Sequence, residues 1–317
     1  MTFSVKPGFS LYKIAVIVNV LRFLKRPRLR PLSPARLGLL DMVLACVLFS
    51  LMNASVYAIR WLDTDIPATV ISFVRVLSNT LILLAPALFQ RRALALLGDR
   101  RPSLWLRGLF GTLALMLSFS SITRIGPGES AFLAASSGVF VALLGPWVLG
   151  QRNSWRVWLA ILGAFAGVAL IFQPEAHRPD VLGRAMALGS GFLAALAYLM
   201  VARAGRSNSP QVVVFYFCLV ALVVHALYFV GYGFQGSNQP VVWGLLLLTG
   251  ILGSGAQYRM TRAYQVAPAA RVSAVGYLAP VLSLIWGMLW FQQIPSHSAF
   301  WGSMLILLFG VLLPFLR

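Results

Sequence analysis

The 317-residue chain is 59% hydrophobic and only 10% charged, with a strongly positive mean hydropathy. A soluble chain carries about a quarter of its residues as charged side chains, so a pair of soluble domains is excluded. The net charge of +19 is spread between apolar runs and is not gathered into one patch, which argues against a nucleic-acid partner. At roughly 20 residues per membrane-spanning helix, the length accommodates about ten spans, and the chain reads as an all-α polytopic membrane protein.

Before the first span, residues 9–24 are apolar, with Tyr12, Asn19 and Arg22 on one helical face and the basic run Lys25–Arg30 behind them. No small-residue cleavage pattern follows. An interfacial amphipathic helix with a polybasic flank therefore fits better than a cleaved signal peptide, and a start codon further downstream is the third reading. Spans are predicted at 38–59, 66–89, 104–123, 127–149, 155–173, 181–202, 211–232, 241–263, 267–291 and 298–316. Turn signals separate them at Asp63–Pro67, Gly98–Pro102, Gly126–Gly128 and Gln235–Pro240. The two cysteines, Cys46 and Cys218, sit inside apolar runs and read as small hydrophobes, with no disulfide framework or metal site.

Lys and Arg set the orientation. With the N-terminus inside, 21 basic residues fall on the inner side, Arg107 among them. Four fall outside (Arg60, Arg124, Arg178 and Arg184), and Arg75 lies within a span. Both termini are thus expected in the cytoplasm.

Division near residue 176 gives two sets of five spans, and an odd number makes equivalent helices run in opposite directions, as in inverted-repeat transporters. Weak internal matches agree: Pro127 with Pro268 at an offset of 141, Gln151 with Gln293 at 142, and Trp158, Gly167 and Val168 with Trp301, Gly310 and Val311 at 143. The expected organisation is a basic segment at 1–37, a first five-helix repeat at 38–175 and a second at 176–317.

The stretches LFSLMNASVYAIRWL, ISFVRVLSNTLILL, SFSSITRIGPGESAFLAASSGVFVALLGPWVLGQRNSW and YRMTRAYQVAPAARVSAVGYLAPVLSLIWGMLW resemble the EamA type of the drug/metabolite transporter superfamily. The resemblance covers residues 38–316. It implies a bacterial inner-membrane transporter with a central cavity between two five-helix halves, and it makes Arg75 the family's arginine of the second span. Two departures stand out. Where the family has a glutamate after the fourth and ninth spans, this chain has Gln151 and Gln292 or Gln293, so no ion-coupling role carries over to them. Where the family often has a proline in the fourth span this chain has Gly138, whereas Pro280 keeps the proline of the ninth.

Polar residues deep in the spans are the candidate site. Arg75 is nine residues into its span, about 14 Å deep, where a charge costs about 3 kcal/mol or more unless it faces a cavity or partner. Ser72, Ser78 and Asn79 share its face. Arg75 reads either as a fixed cation for a carboxylate or phosphate, or as a structural tie between helices. Ser136 and Ser137, and Tyr277, lie about 14–15 Å from the ends of their spans. Pro280 frees the carbonyl of Gly276 from its helical partner. Asn53 and Tyr57 share one face, and Gln257 and Tyr258 end the eighth span. Trp286 and Trp290 read as cavity-lining or interfacial, Trp290 as interfacial. His225 reads as a packing residue, and the small-residue stripes Gly183–Ala195 and Gly163–Gly167 as close helix contacts.

At the mouths, Glu129 near the outer start of the fourth span corresponds to Arg271 near the inner start of the ninth. Both read as gate residues, Glu129 paired with Arg124 in the closed outer state, or else as solvated helix-end charges. Glu129 is also the remaining candidate for proton coupling. No Walker loop, metal-spaced cluster or nucleophile with its base appears, so neither an enzyme nor a cofactor is expected. The expected function is secondary transport of a small metabolite by alternating access, most readily amino-acid export: Tyr57, Tyr258 and Tyr277 would bond a zwitterion, and Arg75 would balance its carboxylate. The alternatives are import or exchange of S-adenosylmethionine or another nucleoside-like metabolite, and a lipid flippase or non-transporting scaffold.

Overall fold

The computed structural model describes residues 34–91, 93–149, 154–171, 180–267, 272 and 275–312; the basic segment through residue 33, Gln151, Pro268 and Arg271 lie outside the described residues. Among the described residues every regular element is helical. The first half supplies α1 (Pro34–Leu62), α2 (Ala68–Phe89), a short 3-10 helix (Ala93–Leu97), α3 (Pro102–Ile125), α4 (Pro127–Ala135), α5 (Ser137–Leu149) and α6 (Trp155–Ile171). The second supplies α7 (Val181–Ala204), α8 (Pro210–Tyr232), α9 (Pro240–Val266), α10 (Leu278–Phe291) and α11 (His297–Leu312). Helices α3, α4, α8 and α9 open on a proline, whose missing N–H is no loss in a first turn.

Seven helices among the described residues are long and apolar enough to cross a membrane, with Pro127–Val148 counted as one, and three shorter apolar helices accompany them. The chain is a multi-pass membrane protein. Its bare aromatic side chains gather at helix ends, including Trp61, Phe89, Trp147 and Trp290, where an amphipathic ring suits the membrane–water boundary.

Two spans are interrupted. The predicted 127–149 span breaks at Ser136, whose carbonyl accepts from both Val139 N and Phe140 N at 2.9 and 3.0 Å. The Ser136 hydroxyl bonds back to the Leu133 carbonyl at 2.6 Å, a local competitor for helical hydrogen bonding that bends the axis. The predicted 267–291 span has a turn at Tyr277 just before α10, where Pro280 removes the donor that would satisfy Gly276. That carbonyl and the one before it are met by the Cys46 thiol, at 3.8 and 3.5 Å. Cys46 is therefore a donor to broken backbone and more than a small hydrophobe.

In lipid no hydrophobic force drives helices together, so close packing through small residues does that work. Gly183, Ala187, Gly191 and Ala195 are all buried on α7, which packs along α3 and against α4 and α5. Gly163 and Gly167 seat α6 on α11. Helix α1 lies along α9, α8 against α3, α2 against α9, and α4 against α10. His225 is fully buried on α8, with one ring nitrogen 2.6 Å from Ser72 Oγ of α2 and the other 2.7 Å from the Ala221 carbonyl.

Ion pairs tie the helix ends. Where α1 begins, buried Asp41 meets Arg259 and Arg262 of α9 at 2.7 and 3.0 Å. Where α3 gives way to α4, Arg124 meets Asp180 at 2.7 Å and Glu129 meets Arg184 at 2.5 Å. Asp180 caps α7 by accepting from Gly183 N at 2.8 Å, which brings its carboxylate to Arg124, and Arg184 follows one turn on beside Glu129. Burial acts to raise the Asp180 pKa, but the hydrogen bonds from Gly183 and Arg124 and the Arg124 charge outweigh it and hold it below the ordinary carboxylate range.

Candidate substrate-binding site

A cavity of about 220 Å³ opens between α1, α2, α3, the α4–α5 junction, α7, α8, α9 and the start of α10. That is below the roughly 300–1,000 Å³ of drug-sized pockets, so it fits a small metabolite. Two arginines face it. Arg75 of α2 is 3% exposed and Arg107 of α3 is 2% exposed. Their guanidinium carbons sit 5.6 and 4.8 Å from the centre of the Phe217 ring of α8, and so within about 10 Å of each other. Phe119 flanks Arg75 at 6.0 Å.

Glycines make the space. A Cβ on Gly253 of α9 would stand 2.6 Å from Arg75 Nε, and a Cβ on Gly111, one turn beyond Arg107 on its own helix, would collide with Arg107 Nη1. Each guanidinium thus lies flat on bare helix backbone. Four lining residues carry buried polar atoms without a hydrogen-bond partner among the described residues: Arg75 Nε, Arg107 Nε and Nη1, Ser130 Oγ and Tyr277 Oη. No aspartate or glutamate is among the described lining residues.

Magnitudes decide what this arrangement lacks. A cation–π contact returns about 0.5–2 kcal/mol, against about 3 kcal/mol or more for an arginine at mid-membrane, the depth expected of Arg75. Mutual repulsion at about 10 Å adds roughly 1.7 kcal/mol at an effective dielectric of 20. The aromatic rings leave a deficit that a bound anion is suited to fill.

Of the residues singled out from the sequence, Asn53, Arg75, Gln257 and Tyr277 line the cavity, and so do Ser137 and Pro280. Asn53 Nδ2 donates to Ser283 Oγ of α10 at 3.3 Å. Tyr277 is 2% exposed and packs over Gly138, where a Cβ would stand 2.8 Å from its hydroxyl. The two helix breaks therefore meet at this wall. The others lie outside the lining. Tyr57 is edge-on to Phe291 at 4.8 Å, and Ser136 spends its hydroxyl on its own helix. Asn79, one turn past Arg75, is buried elsewhere, its Nδ2 without a partner among the described residues. Tyr258 follows Gln257 and so points about 100° away round the helix. Trp286 donates to Ser50 at 3.1 Å and stacks on Trp290. Glu129 is bound up with Arg184, and Arg271 lies outside the described residues.

Sequence reasoning missed Arg107, Ser130 and the stacked pair Tyr198–Tyr264, whose rings lie 5.3 Å apart on the cavity wall. Linear charge counting places Arg107 on the inner side with Arg100 and Arg101, although it falls in the first turn of the predicted 104–123 span. Its signal was Gly111 four residues on, the bare surface a buried arginine needs.

Residues 36–173 and again 181–315 match the sequence model of the EamA-like transporter family, and the chain belongs to that family. Its members are transporters and not enzymes. The pseudopaline exporter of Pseudomonas aeruginosa is 30% identical over 269 residues, covering 85% of this chain and 93% of that protein. Mouse solute carrier family 35 member G1 is 24% identical, covering 85% and 76%, and a riboflavin transporter of Rhizobium johnstonii is 26% identical, covering 87% and 90%. One solved protein structure matches with a TM-score of 0.62 at 20% identity over 87% of this chain and 95% of that one, a likeness of fold alone.

Proposed function

We propose that this transporter is a secondary carrier of the bacterial inner membrane that exports an amino acid or a related carboxylate-bearing metabolite by alternating access. The observation that carries this reading is the pair of buried arginines around one metabolite-sized cavity, with N–H groups that have no partner among the described residues. A guanidinium is suited to hold a carboxylate by two parallel hydrogen bonds. Tyr277, Asn53 and Gln257 supply neutral polar contacts beside it. The export direction is the one named for the Pseudomonas relative.

The architecture in this proposal is ten spans in two inverted five-helix repeats. The packing of the helices supports it. If the spans are numbered one to ten, exchange of the halves turns the contact of spans one and eight (α1–α9) into that of six and three (α7–α3), and three and seven (α3–α8) into eight and two (α9–α2). Spans four and nine are both broken, at Ser136 and Tyr277, an offset of 141. In transporters such broken helices bracket the substrate at mid-membrane. The proposal keeps Glu129 and Arg271 as gate residues and Glu129 as the proton carrier, with both termini cytoplasmic.

Counterflow in proteoliposomes tests it. Purified protein loaded with unlabelled amino acids and small carboxylates in turn should draw in the matching labelled solute, and Arg75→Leu should abolish this at normal protein content. Uptake of every such solute at the rate of empty liposomes would overturn the reading.

A further inference from the structure

We infer that the cavity selects a doubly charged anion, held between Arg75 and Arg107, over a zwitterion or a singly charged acid. The inference rests on the reading of the cavity as the transport site, and within that site it puts a dianion in place of the amino acid. Both arginines are more than nine-tenths buried, come from different helices, and flank the same phenylalanine ring. Each keeps at least one N–H without a partner among the described residues. An arginine stays protonated in any protein setting, so the wall carries two positive charges and, among its described residues, no carboxylate to offset them.

Charge counting then ranks the solutes. A neutral amino acid brings one carboxylate and one ammonium, which leaves the net charge of the site unchanged and sets a third cation near the first two. A monocarboxylate satisfies one arginine and strands the other. A dianion satisfies both. Among the described residues the remaining wall offers the ammonium of a zwitterion no carboxylate: it presents hydroxyls, the side-chain amides of Asn53 and Gln257, and aromatic faces, of which Phe119 and Phe217 are already turned to the arginines. The same two-arginine chemistry serves a short dicarboxylate, with one end on each guanidinium, or a phosphate monoester bridging both.

Calorimetric titration of the purified full-length protein with butyrate, glutamate, glutarate and glycerol 3-phosphate at neutral pH separates these. Glutarate, glycerol 3-phosphate or both should bind at least tenfold more tightly than butyrate and glutamate; the tighter of the two identifies the anion as carboxylate or phosphate. In Arg107→Gln that preference should fall to near unity, and Arg107→Lys should restore part of it. Glutamate or butyrate binding as tightly as either dianion, a preference that survives Arg107→Gln, or binding of none of the four, would overturn the inference. Where Arg107→Gln fails to fold, the wild-type series alone decides. Counterflow of whichever solute binds is a separate readout: a solute that binds and is not carried removes the transport reading and leaves the charge preference standing.

Discussion

At Arg75 the charge comes from one helix and the room for it from another. The guanidinium lies on Gly253, with Met52 closing the side, so Gly253→Ala would push a methyl group to 2.6 Å from Nε and 3.0 Å from the Met52 sulfur. We expect that substitution to displace the arginine and lower transport by about tenfold, the equivalent of about 1.4 kcal/mol, at unchanged membrane abundance. Arg75→Lys should keep some transport and Arg75→Leu none; loss of the folded protein in both would make the arginine a structural tie instead. How far the site was legible in the sequence follows from the same residues. Arg75 stood out because it is an isolated charge nine residues into an apolar run. Arg107 did not, because it follows Arg100 and Arg101 closely and linear charge counting assigns all three to the inner side, whereas Pro102 starts the helix early enough to carry Arg107 inward. Gln257 and Tyr258 could not be told apart, since a helix of uncertain phase leaves open which neighbour faces inward.

The broken helices are the elements that sequence patterns showed least. Hydropathy gave 127–149 as one span, because a break at a serine leaves the apolar run intact, and only Pro280 marked the counterpart. The consequence of the breaks is contact: Gly138 admits the Tyr277 hydroxyl, and Gly191 of α7 lies against Ala134 O and Ser136 Oγ, each at 2.8 Å from where a Cβ would stand. Gly138→Val should therefore force the Tyr277 ring from the cavity wall. Tyr277→Phe removes only a hydroxyl that has no partner among the described residues. If that hydroxyl bonds the substrate, Tyr277→Phe should weaken binding by about twofold to tenfold, the range of one net hydrogen bond, with no loss of thermal stability. Unchanged affinity in both variants would take Tyr277 out of the site. The Glu129–Arg184 pair joins the start of α4 to α7, and proton coupling through it has its own signature. Glu129→Gln should abolish accumulation against a gradient and leave substrate exchange intact, and full concentrative transport by that variant would place coupling elsewhere.

For the whole molecule, the positions of the loops turn a charge count into a statement about faces. The turn at 98–101 touches the turn at 205–208, through Asp99 N to Asn208 at 3.1 Å and Ser207 to Asp99 at 2.6 Å. The hydrogen bonds of Ser207 and Asn208 are also the leading reason the Asp99 carboxylate is held below its usual pKa. The 62–65 loop touches the 235–239 loop instead, through Gln239 Nε2 to the Leu62 carbonyl at 3.3 Å. Arg91, Arg100, Arg101, Arg203 and Arg206 belong with the first pair of turns, and Arg60 with the second. Arg107 and Arg184 leave the tally, because both are buried within helices, and the split of basic residues becomes 20 against 3. The asymmetry is undiminished in proportion, so the expected orientation does not depend on these two buried arginines. Positive loops stay on the cytoplasmic side. A reporter active only in the cytoplasm should therefore signal when inserted at Ser207 or fused to either terminus, and be silent at Gln235–Gln239. The contact between the Ser207 turn and the Asp99 turn makes this a paired test, since a second insertion at Asp99 must agree with the first. Signal from Gln235–Gln239, or opposite results at Asp99 and Ser207, would overturn the ten-span arrangement and with it the inverted relation of the two halves.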